Sequence, residues 1–168
     1  MDHETKEPLE IQVGALLRLH GWRLAVAESC TGGLIGHRLT NIPGSSTYYV
    51  GSIIAYAYEA KVRLLGVTWQ TLEKYGAVSG ETVLEMARGV RIALAADVGL
   101  SVSGIAGPGG GTPDKPVGLV WAGLSTPFDE RAQRYLWNGD RITNKELSAE
   151  ATLQLLVDYL SELPPPMR

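Results

Sequence analysis

The feature that most constrains the fold is a regular alternation between short apolar segments and longer segments with one apolar face. Residues 24–27 (LAVA) form an uninterrupted apolar run, typical of a strand buried on both faces. Residues 9–20 and 80–96 instead repeat apolar side chains at the helical spacing, and Gly21 and Ser79 are suited to end the first helix and begin the second. Because such helices bury one face against a sheet, the alternation predicts a three-layer α/β/α fold.

Six helices and five strands are predicted along the chain. The helices cover residues 9–20, 34–40, 59–65, 68–75, 80–96 and 141–162, and the strands cover residues 24–27, 48–56, 98–103, 117–124 and 131–137. Only a turn separates the last two strands, so at least one pairing is antiparallel and the sheet is mixed. One domain, residues 9–162, is predicted between an N-terminal tail (1–8) and a C-terminal tail (163–168).

Composition bounds the class of protein. The 168 residues carry 15 Lys and Arg against 18 Asp and Glu, and this net charge of −3 gives no basic surface for direct nucleic-acid binding. A single cysteine, Cys30, excludes an internal disulfide framework and favours a reducing compartment. No export signal and no apolar segment suited to span a bilayer is visible, so we expect a soluble cytoplasmic protein without a membrane partner.

The first of two glycine-rich segments follows the first predicted strand. Ser29, Cys30, Thr31, Gly32 and Gly33 form a turn between the carboxyl end of that strand and the N-terminus of the next helix. Free N–H groups and the positive end of the helix dipole favour an anion or a developing oxyanion there. A purely structural interpretation stays open, in which Ser29 or Thr31 caps the helix and Cys30 is a small buried apolar residue.

The second glycine-rich segment, residues 104–113, directly follows another predicted strand. It lacks the lysine of a P-loop, and the pattern begun by Gly107 and Gly109 meets a threonine where a dinucleotide fingerprint needs its third glycine. Bare backbone at Gly104, Gly107, Gly109 and Gly110 still allows a ligand to approach closely. A long irregular surface loop is the alternative.

Candidate bases are few. The histidines His3, His20 and His37 lack metal-ligand spacing, so no metal site is predicted. Lys61, close in sequence to Tyr56, is the candidate base, because burial lowers the pKa of a lysine. A solvated helix lysine is the alternative.

Seven motifs, taken together, resemble those of one family. They are AESCTGG at 27–33, NIPGSS at 41–46, EAK at 59–61 with LLGV at 64–67, GAVS at 76–79, SGIAGPGGG at 103–111, KPVG at 115–118 and GDR at 139–141. In this order, and over residues 9–160, the chain resembles the CinA C-terminal domain family, whose characterised activity is nicotinamide-nucleotide amidase. The larger N-terminal domain of full-length CinA proteins is not in this sequence, so we expect the stand-alone amidase form.

The resemblance implies a reaction and an architecture. The reaction is hydrolysis of the carboxamide of nicotinamide mononucleotide to nicotinic acid mononucleotide and ammonia, a step of pyridine-nucleotide salvage. The architecture is a mixed, mostly parallel five-stranded sheet, without a metal or a cofactor, in a homodimer. Such a hydrolase needs a nucleophile, a base and an oxyanion site.

On this resemblance, Ser29 is the hypothetical nucleophile and Lys61 the base, with Tyr56 relaying a proton or orienting the lysine. Backbone amides near residues 31–33 would stabilise the oxyanion. Thr31 also carries a hydroxyl, so the choice between it and Ser29 stays open at this point.

The remaining hypothetical site residues bind the substrate. Ser103 would contact the nucleophile or the substrate, and residues 104–112 would enclose the nucleotide. Arg141 is the candidate for the 5′-phosphate, with charge balance against Asp140 as its alternative. The expected substrate-binding residues are Cys30, Thr31, Gly32, Gly33, Gly104, Gly107, Gly109, Gly110 and Arg141.

The chain departs from the family pattern at three positions. Ala57 and Tyr58 stand where family members commonly carry Ser and Asn, next to the hypothetical base. Lys145 stands where an arginine is common, and a lysine binds phosphate only as a point charge. These departures keep two further hypotheses open: a non-catalytic module acting through protein contacts in DNA uptake or damage response, and a nucleotide-binding sensor.

Overall fold

The structure, a computed structural model, describes residues 7–167, so part of each predicted tail (residues 1–6 and residue 168) lies outside the described residues. The described helices are α1 (Leu9–His20), α2 (Leu34–Thr40), α3 (Tyr58–Leu65), α4 (Trp69–Tyr75), α5 (Gly80–Ala93) and α6 (Arg141–Glu162), and the strands are β1 (Leu24–Glu28), β2 (Tyr49–Ile54), β3 (Val98–Gly104), β4 (Leu119–Ser125) and β5 (Glu130–Leu136). Across residues 7–167, no helix combines the length and the apolar character needed to cross a bilayer.

The strands form one sheet in the order β2-β1-β3-β4-β5. β1 lies between β2 and β3 and is parallel to both, whereas β4 is antiparallel to β3 and to β5. Four strands therefore run in one direction and β4 alone runs against them. The prediction of a mixed, mostly parallel five-stranded sheet is confirmed.

Helices cover both faces of this sheet. On one face α1, α2 and α6 contribute Val13, Ile35 and Leu156 to a core shared with the apolar side chains of β1, β3 and β4. On the other face α3, α4 and α5 pack around Leu65 and Met86 against the alanines of β1. The three-layer prediction is confirmed, and the layers bring α2 and α3 to the same edge of the sheet from opposite faces.

The element ends follow from local backbone chemistry. Gly21 ends α1 in the left-handed region with φ 67°, as predicted, and Ser79 begins α5 by accepting a hydrogen bond from the Thr82 N–H at 3.2 Å. α5 ends at Ala93, before the predicted residue 96, because Ala95 takes a left-handed conformation with φ 49° that a helix cannot continue through.

Candidate active site

The carboxyl ends of β1, β2 and β3 meet at one edge of the sheet, and the first glycine-rich turn begins there. Glu28, the last residue of β1, pairs with Ile54 of β2 and with Val102 of β3. The Ser29 N–H donates to the Val102 carbonyl at 3.1 Å, and the Ala55 N–H donates to the Glu28 carbonyl at 2.9 Å. Ser29 is therefore held between neighbouring strands at the edge where α/β sheets commonly bind ligands.

Helix α3 places a lysine amine directly against this serine. Lys61 is 1% exposed, and its Nζ donates to the Ser29 Oγ at 2.9 Å. The same Nζ donates to the carbonyl oxygens of Ala55 at 2.8 Å and Tyr56 at 2.9 Å. A side chain so enclosed is not the solvated helix lysine of the structural alternative.

The surroundings of Lys61 make its amine a usable base. Burial disfavours the charged form and lowers the pKa of Lys61 from 10.5 to about 8. A neutral amine carries two N–H donors and one lone pair; the two carbonyls accept the donors, and the lone pair is left for the Ser29 hydroxyl. The arrangement can therefore withdraw the proton of Ser29.

The turn is organised by Glu28, a residue that sequence reasoning did not select. Its fully buried side chain accepts hydrogen bonds from the Thr31 hydroxyl at 2.7 Å and from the amides of Gly33, Ile35 and Gly36 at 3.2, 3.0 and 3.0 Å. Glu28, rather than Ser29 or Thr31, therefore caps α2, and the helix-cap alternative for those two hydroxyls is wrong. A lone acid that ends an apolar strand just before a helix was the available signal.

The free amides of the turn overlap the expected residues 31–33 only at Thr31. The Gly33 N–H donates to Glu28, and the Gly32 N–H donates to the Ser29 carbonyl at 3.1 Å. Of the turn amides in the described chain, those of Cys30 and Thr31 donate to no other residue. Donors for an oxyanion are therefore found immediately after Ser29.

The other two side chains of the turn are engaged elsewhere. Burial raises the pKa of the Cys30 thiol to about 12, so the thiol stays protonated at neutral pH and packs in the core. The Thr31 hydroxyl is committed to Glu28, whereas the Ser29 hydroxyl meets the Lys61 amine. Of these three groups in the described turn, only the Ser29 hydroxyl is hydrogen-bonded to the Lys61 amine.

Ser103, still within β3, lies at the same level as Ser29, since its neighbour Val102 pairs with Glu28. Strand alternation puts it on the same face as Ser101, whose hydroxyl donates to a carbonyl of α5. Ser103 is 1% exposed, and its hydroxyl has no hydrogen-bond partner among residues 7–167. This hydroxyl is available to a ligand beside the serine–lysine pair.

The second glycine-rich segment connects β3 to β4 and is tied to α6. Gly104 still belongs to β3 and pairs with Val120, while the Gly107 carbonyl accepts a hydrogen bond from Arg141 Nη1 at 2.6 Å. Gly110 has a positive φ of 86°, and a Cβ built on Gly109 would meet no atom within 4 Å. The beginning of the loop is therefore hydrogen-bonded to α6 at Gly107, whereas space remains around its backbone at Gly109.

Asn144 is a second residue that sequence reasoning missed. It is 1% exposed, its Nδ2 donates to the carbonyls of Ala106 and Gly139 at 3.0 Å each, and its Oδ1 accepts from the Gly139 N–H at 3.0 Å. These bonds fix the start of the glycine loop to the first turn of α6. An asparagine in a helix carries no sequence signal that separates this position from an exposed one.

Arg141 links the glycine loop to residue 56. Besides Gly107, its guanidinium reaches the Tyr56 hydroxyl, with Nη2 at 3.4 Å. Asp140 instead caps α6, and no Arg141–Asp140 ion pair is found in the described chain. Tyr56 meets Lys61 through its backbone carbonyl, while its ring is 65% exposed and its hydroxyl faces Arg141.

Two cavities of about 400 Å³ each flank these residues. One is lined by the turn residues Thr31, Gly32 and Gly33 together with His37, Ile142 and Lys145 of α2 and α6. The other is lined by Tyr58, Ile105 and Gly110, and by the turn between α4 and α5. The Tyr58 hydroxyl accepts from the Ala77 N–H at 3.3 Å, so this departure from the family pattern forms one wall of the second cavity.

The fold and the site define a class: a three-layer α/β protein with a buried serine–lysine pair at the carboxyl edge of a mixed sheet. Among the described residues, no three His, Cys, Asp or Glu side chains are grouped to hold a metal ion. The chain belongs to the CinA C-terminal domain family, which it matches over residues 6–160.

Two curated relatives illustrate the sequence similarity. A "CinA-like protein" of Salinibacter ruber is 52% identical over 146 residues, which cover 87% of this chain and 35% of the relative. A "CinA-like protein" of Chloroherpeton thalassium is 47% identical over 161 residues, which cover 94% of this chain and 38% of the relative. The chain thus spans little more than a third of the length of these relatives.

Solved structures match over nearly their whole length. The "competence/damage inducible protein CihA" of Agrobacterium tumefaciens superposes with a TM-score of 0.88 at 35% identity, covering 92% of this chain and 94% of that one. A "Competence-Damaged Protein (CinA) Superfamily Protein" of Klebsiella pneumoniae superposes with a TM-score of 0.89 at 32% identity, covering 92% and 97%. The family resemblance and the fold are confirmed.

Proposed function

We propose that this chain is an amidohydrolase that converts nicotinamide mononucleotide to nicotinic acid mononucleotide and ammonia. One observation carries the proposal: a lysine that is 1% exposed holds its Nζ 2.9 Å from a serine Oγ, beside the backbone amides of Cys30 and Thr31, which donate to no other residue of the described chain. Such a pair supplies a nucleophile and its base, and the amides supply oxyanion donors. Membership of the CinA family supports the choice of substrate.

The mechanism begins with proton transfer. Neutral Lys61 accepts the Ser29 hydroxyl proton as Oγ attacks the carboxamide carbon, and the carbonyl oxygen becomes an oxyanion. The carbon–nitrogen bond then breaks, the Lys61 ammonium gives its proton to the leaving nitrogen, and ammonia departs from an acyl ester of Ser29. Neutral Lys61 next deprotonates a water that attacks the ester, and the proton returns to Ser29 as the nicotinate product leaves.

The surrounding residues fit a nucleotide amide. In this proposal the Ser103 hydroxyl, which has no hydrogen-bond partner among residues 7–167, binds the carboxamide, and the loop of residues 104–112, which follows β3, encloses the nucleotide. Arg141 offers a planar guanidinium for the 5′-phosphate, and Lys145 lines the cavity next to the turn. Ser103 is held by β3, and Arg141 and Lys145 are held by α6.

The reaction is tested by products and substrate range. Purified protein is incubated at pH 8.5 with nicotinamide mononucleotide, nicotinamide riboside or nicotinamide, and ammonia and the acid products are quantified. We expect equimolar ammonia and nicotinic acid mononucleotide from the nucleotide, and far slower release without the phosphate. No ammonia from any of the three amides, from a folded protein, would contradict the proposal.

A sensor without turnover is distinguished by ligand stabilisation. Binding of nicotinamide mononucleotide to the native state raises the melting temperature whether or not it is hydrolysed. A raised melting temperature with no ammonia selects the sensor. The absence of both favours the module acting through protein contacts.

A further inference from the structure

Glu28 has an unusual position for a charged residue. It is fully buried, and its Oε1 alone accepts from the Thr31 hydroxyl and from the amides of Gly33 and Ile35, while Oε2 accepts from the Gly36 amide. Its own backbone is paired with both neighbouring strands. Glu28 therefore links two parts of the structure: its side chain holds the first turn of α2, and its backbone lies in the sheet between β2 and β3.

Because Glu28 occupies the N-terminus of α2, only some backbone amides of the turn remain free to stabilise an oxyanion. A helix N-terminus normally presents free amides to an anion, but here Glu28 already fills that position. The Gly32 and Leu34 amides are also engaged, by the carbonyls of Ser29 at 3.1 Å and Thr31 at 3.2 Å. Of the amides that follow the nucleophile in the described turn, those of Cys30 and Thr31 donate to no other residue.

We propose that Glu28 is a positioning residue: by occupying the α2 N-terminus, it sets the turn so that the Cys30 and Thr31 amides are the oxyanion donors of Ser29. The inference rests on the proposed hydrolase function and adds to it the group that holds the oxyanion site in place. A preorganised pair of donors stabilises the transition state without reorganising during the reaction.

The role requires a carboxylate, because all four bonds are donated to it. In Glu28→Gln one carboxylate oxygen becomes an NH₂ group, which donates hydrogen bonds and cannot accept them. This group would face either the Gly36 N–H or the three donors around Oε1, so two donors would meet. The turn must then shift while the side chain keeps its volume. Ser101→Ala is a matched control: Ser101 is equally buried, lies on the neighbouring strand and loses one hydrogen bond, to the Val83 carbonyl.

The first experiment compares steady-state hydrolysis of nicotinamide mononucleotide by wild type, Glu28→Gln and Ser101→Ala, with melting temperatures. We expect Glu28→Gln to lower kcat about 100-fold, the typical loss for an oxyanion donor, with KM within about 3-fold and the pH midpoint unchanged. Ser101→Ala should keep the wild-type kcat even if its melting temperature falls by as much as that of Glu28→Gln. A Glu28→Gln enzyme with kcat within 3-fold of wild type would overturn the proposal.

A second readout does not depend on the proposed reaction. Phenylmethylsulfonyl fluoride transfers its sulfonyl group to a reactive serine: an O–S bond to Ser29 forms, fluoride leaves, and the proton passes to Lys61 and solvent. We expect intact-mass measurements to show slower sulfonylation of Glu28→Gln than of wild type. Equal rates would overturn the Glu28 role, and slower sulfonylation by a chain that releases no ammonia would support that role while the amidase proposal fails.

If Glu28→Gln does not fold, Thr31→Val carries the test. It removes one of the four donors to Glu28 and preserves the shape of the side chain. We expect kcat and the sulfonylation rate to fall less than the fall expected for Glu28→Gln. The midpoint of the pH dependence of both rates should stay at its wild-type value. No change in either rate would contradict the proposal, and a wild type that neither releases ammonia nor is sulfonylated at Ser29 would overturn both proposals.

Discussion

At the scale of single residues, the site depends on one amine kept in a nearly dry environment. Lys61 is a residue of α3, and within the described chain its amine has only carbonyl and hydroxyl oxygens as hydrogen-bond partners, with no carboxylate among them. A carboxylate partner would hold the lysine charged, whereas carbonyls leave it free to lose its proton. The sequence could offer Lys61 as a candidate, but its contact with a serine 32 positions away follows only from the folded layers.

The activity should follow the deprotonation of Lys61. Because its pKa is about 8 and the neutral amine is the base, kcat/KM is expected to rise with pH to a plateau, with a midpoint near 8. Lys61→Arg keeps a permanent charge and should be inactive at every pH. Initial rates between pH 6 and 10 check both expectations, and a profile that falls through this range would contradict the assignment.

The same pKa predicts how stability changes with pH. The pKa of Lys61 is lower in the folded state than in the unfolded chain, so between about 8 and 10.5 the unfolded state binds more protons and stability rises with pH. Relative to Lys61→Met, wild type should gain about 2 kcal/mol between pH 8 and pH 10. Urea unfolding at both values measures the difference, and parallel curves would contradict the buried-amine account.

Tyr58 is expected to affect substrate affinity rather than chemistry. Its hydroxyl accepts from the Ala77 amide and its side chain lines a cavity, and among the described residues no hydrogen bond joins it to Lys61 or Ser29. Tyr58→Asn, which restores the common family residue, should change KM several-fold while kcat stays within about 2-fold. A large fall in kcat at constant KM would contradict this separation.

At the scale of elements, the glycine loop shows where sequence reasoning was sufficient and where it was not. The glycines of residues 104–113 predicted a segment that a ligand can approach closely. The apolar pattern of the preceding strand predicted that this segment begins at an edge of the sheet. The anchors, Asn144 and Arg141 at the start of α6, lie more than thirty residues further along the chain. A pattern of polar residues on a helix does not reveal which of them faces a carbonyl in another element.

Loss of the Asn144 anchor should loosen this loop. Asn144→Ala leaves the buried Ala106 carbonyl without its donor, at a cost of about 1–3 kcal/mol in the free energy of unfolding. Hydrogen exchange of residues 104–112 should quicken, and kcat/KM should fall. Ser161→Ala, which removes a hydroxyl contact elsewhere on α6, is the control, and equal exchange in both variants would contradict the anchoring role.

At the scale of the whole molecule, the site exists only because elements from both helical layers reach one sheet edge. α2 and α6 approach from one face and α3 from the other, while parallel β1, β2 and β3 end together. Layering and strand direction were predictable from alternation and turn lengths. For the Glu28 cap the sequence offers only an acid at the end of an apolar strand, since its four donors come from a turn whose path the sequence does not specify.

A second copy of the chain is expected to cover the apolar side chains beside the site. Ile54 lies beside the turn, because a Cβ built on Gly33 would meet its Cδ1 at 3.1 Å, and Ile142 lines the same cavity as Gly33; both isoleucines are more than half exposed. Sedimentation equilibrium should show a homodimer that Ile142→Asp weakens. Phe128→Asp, at an exposed turn away from the site, is the control, and a monomeric wild type would contradict the expectation.

The most direct test of the central claim is ammonia release from nicotinamide mononucleotide, measured side by side for wild type, Ser29→Ala and Ser101→Ala at pH 8.5. We expect turnover by wild type and Ser101→Ala, and a loss of about 10⁴-fold or more in Ser29→Ala, as is typical of a nucleophile. Full turnover by Ser29→Ala would contradict the serine–lysine mechanism, and a folded wild type without turnover would contradict the amidase itself.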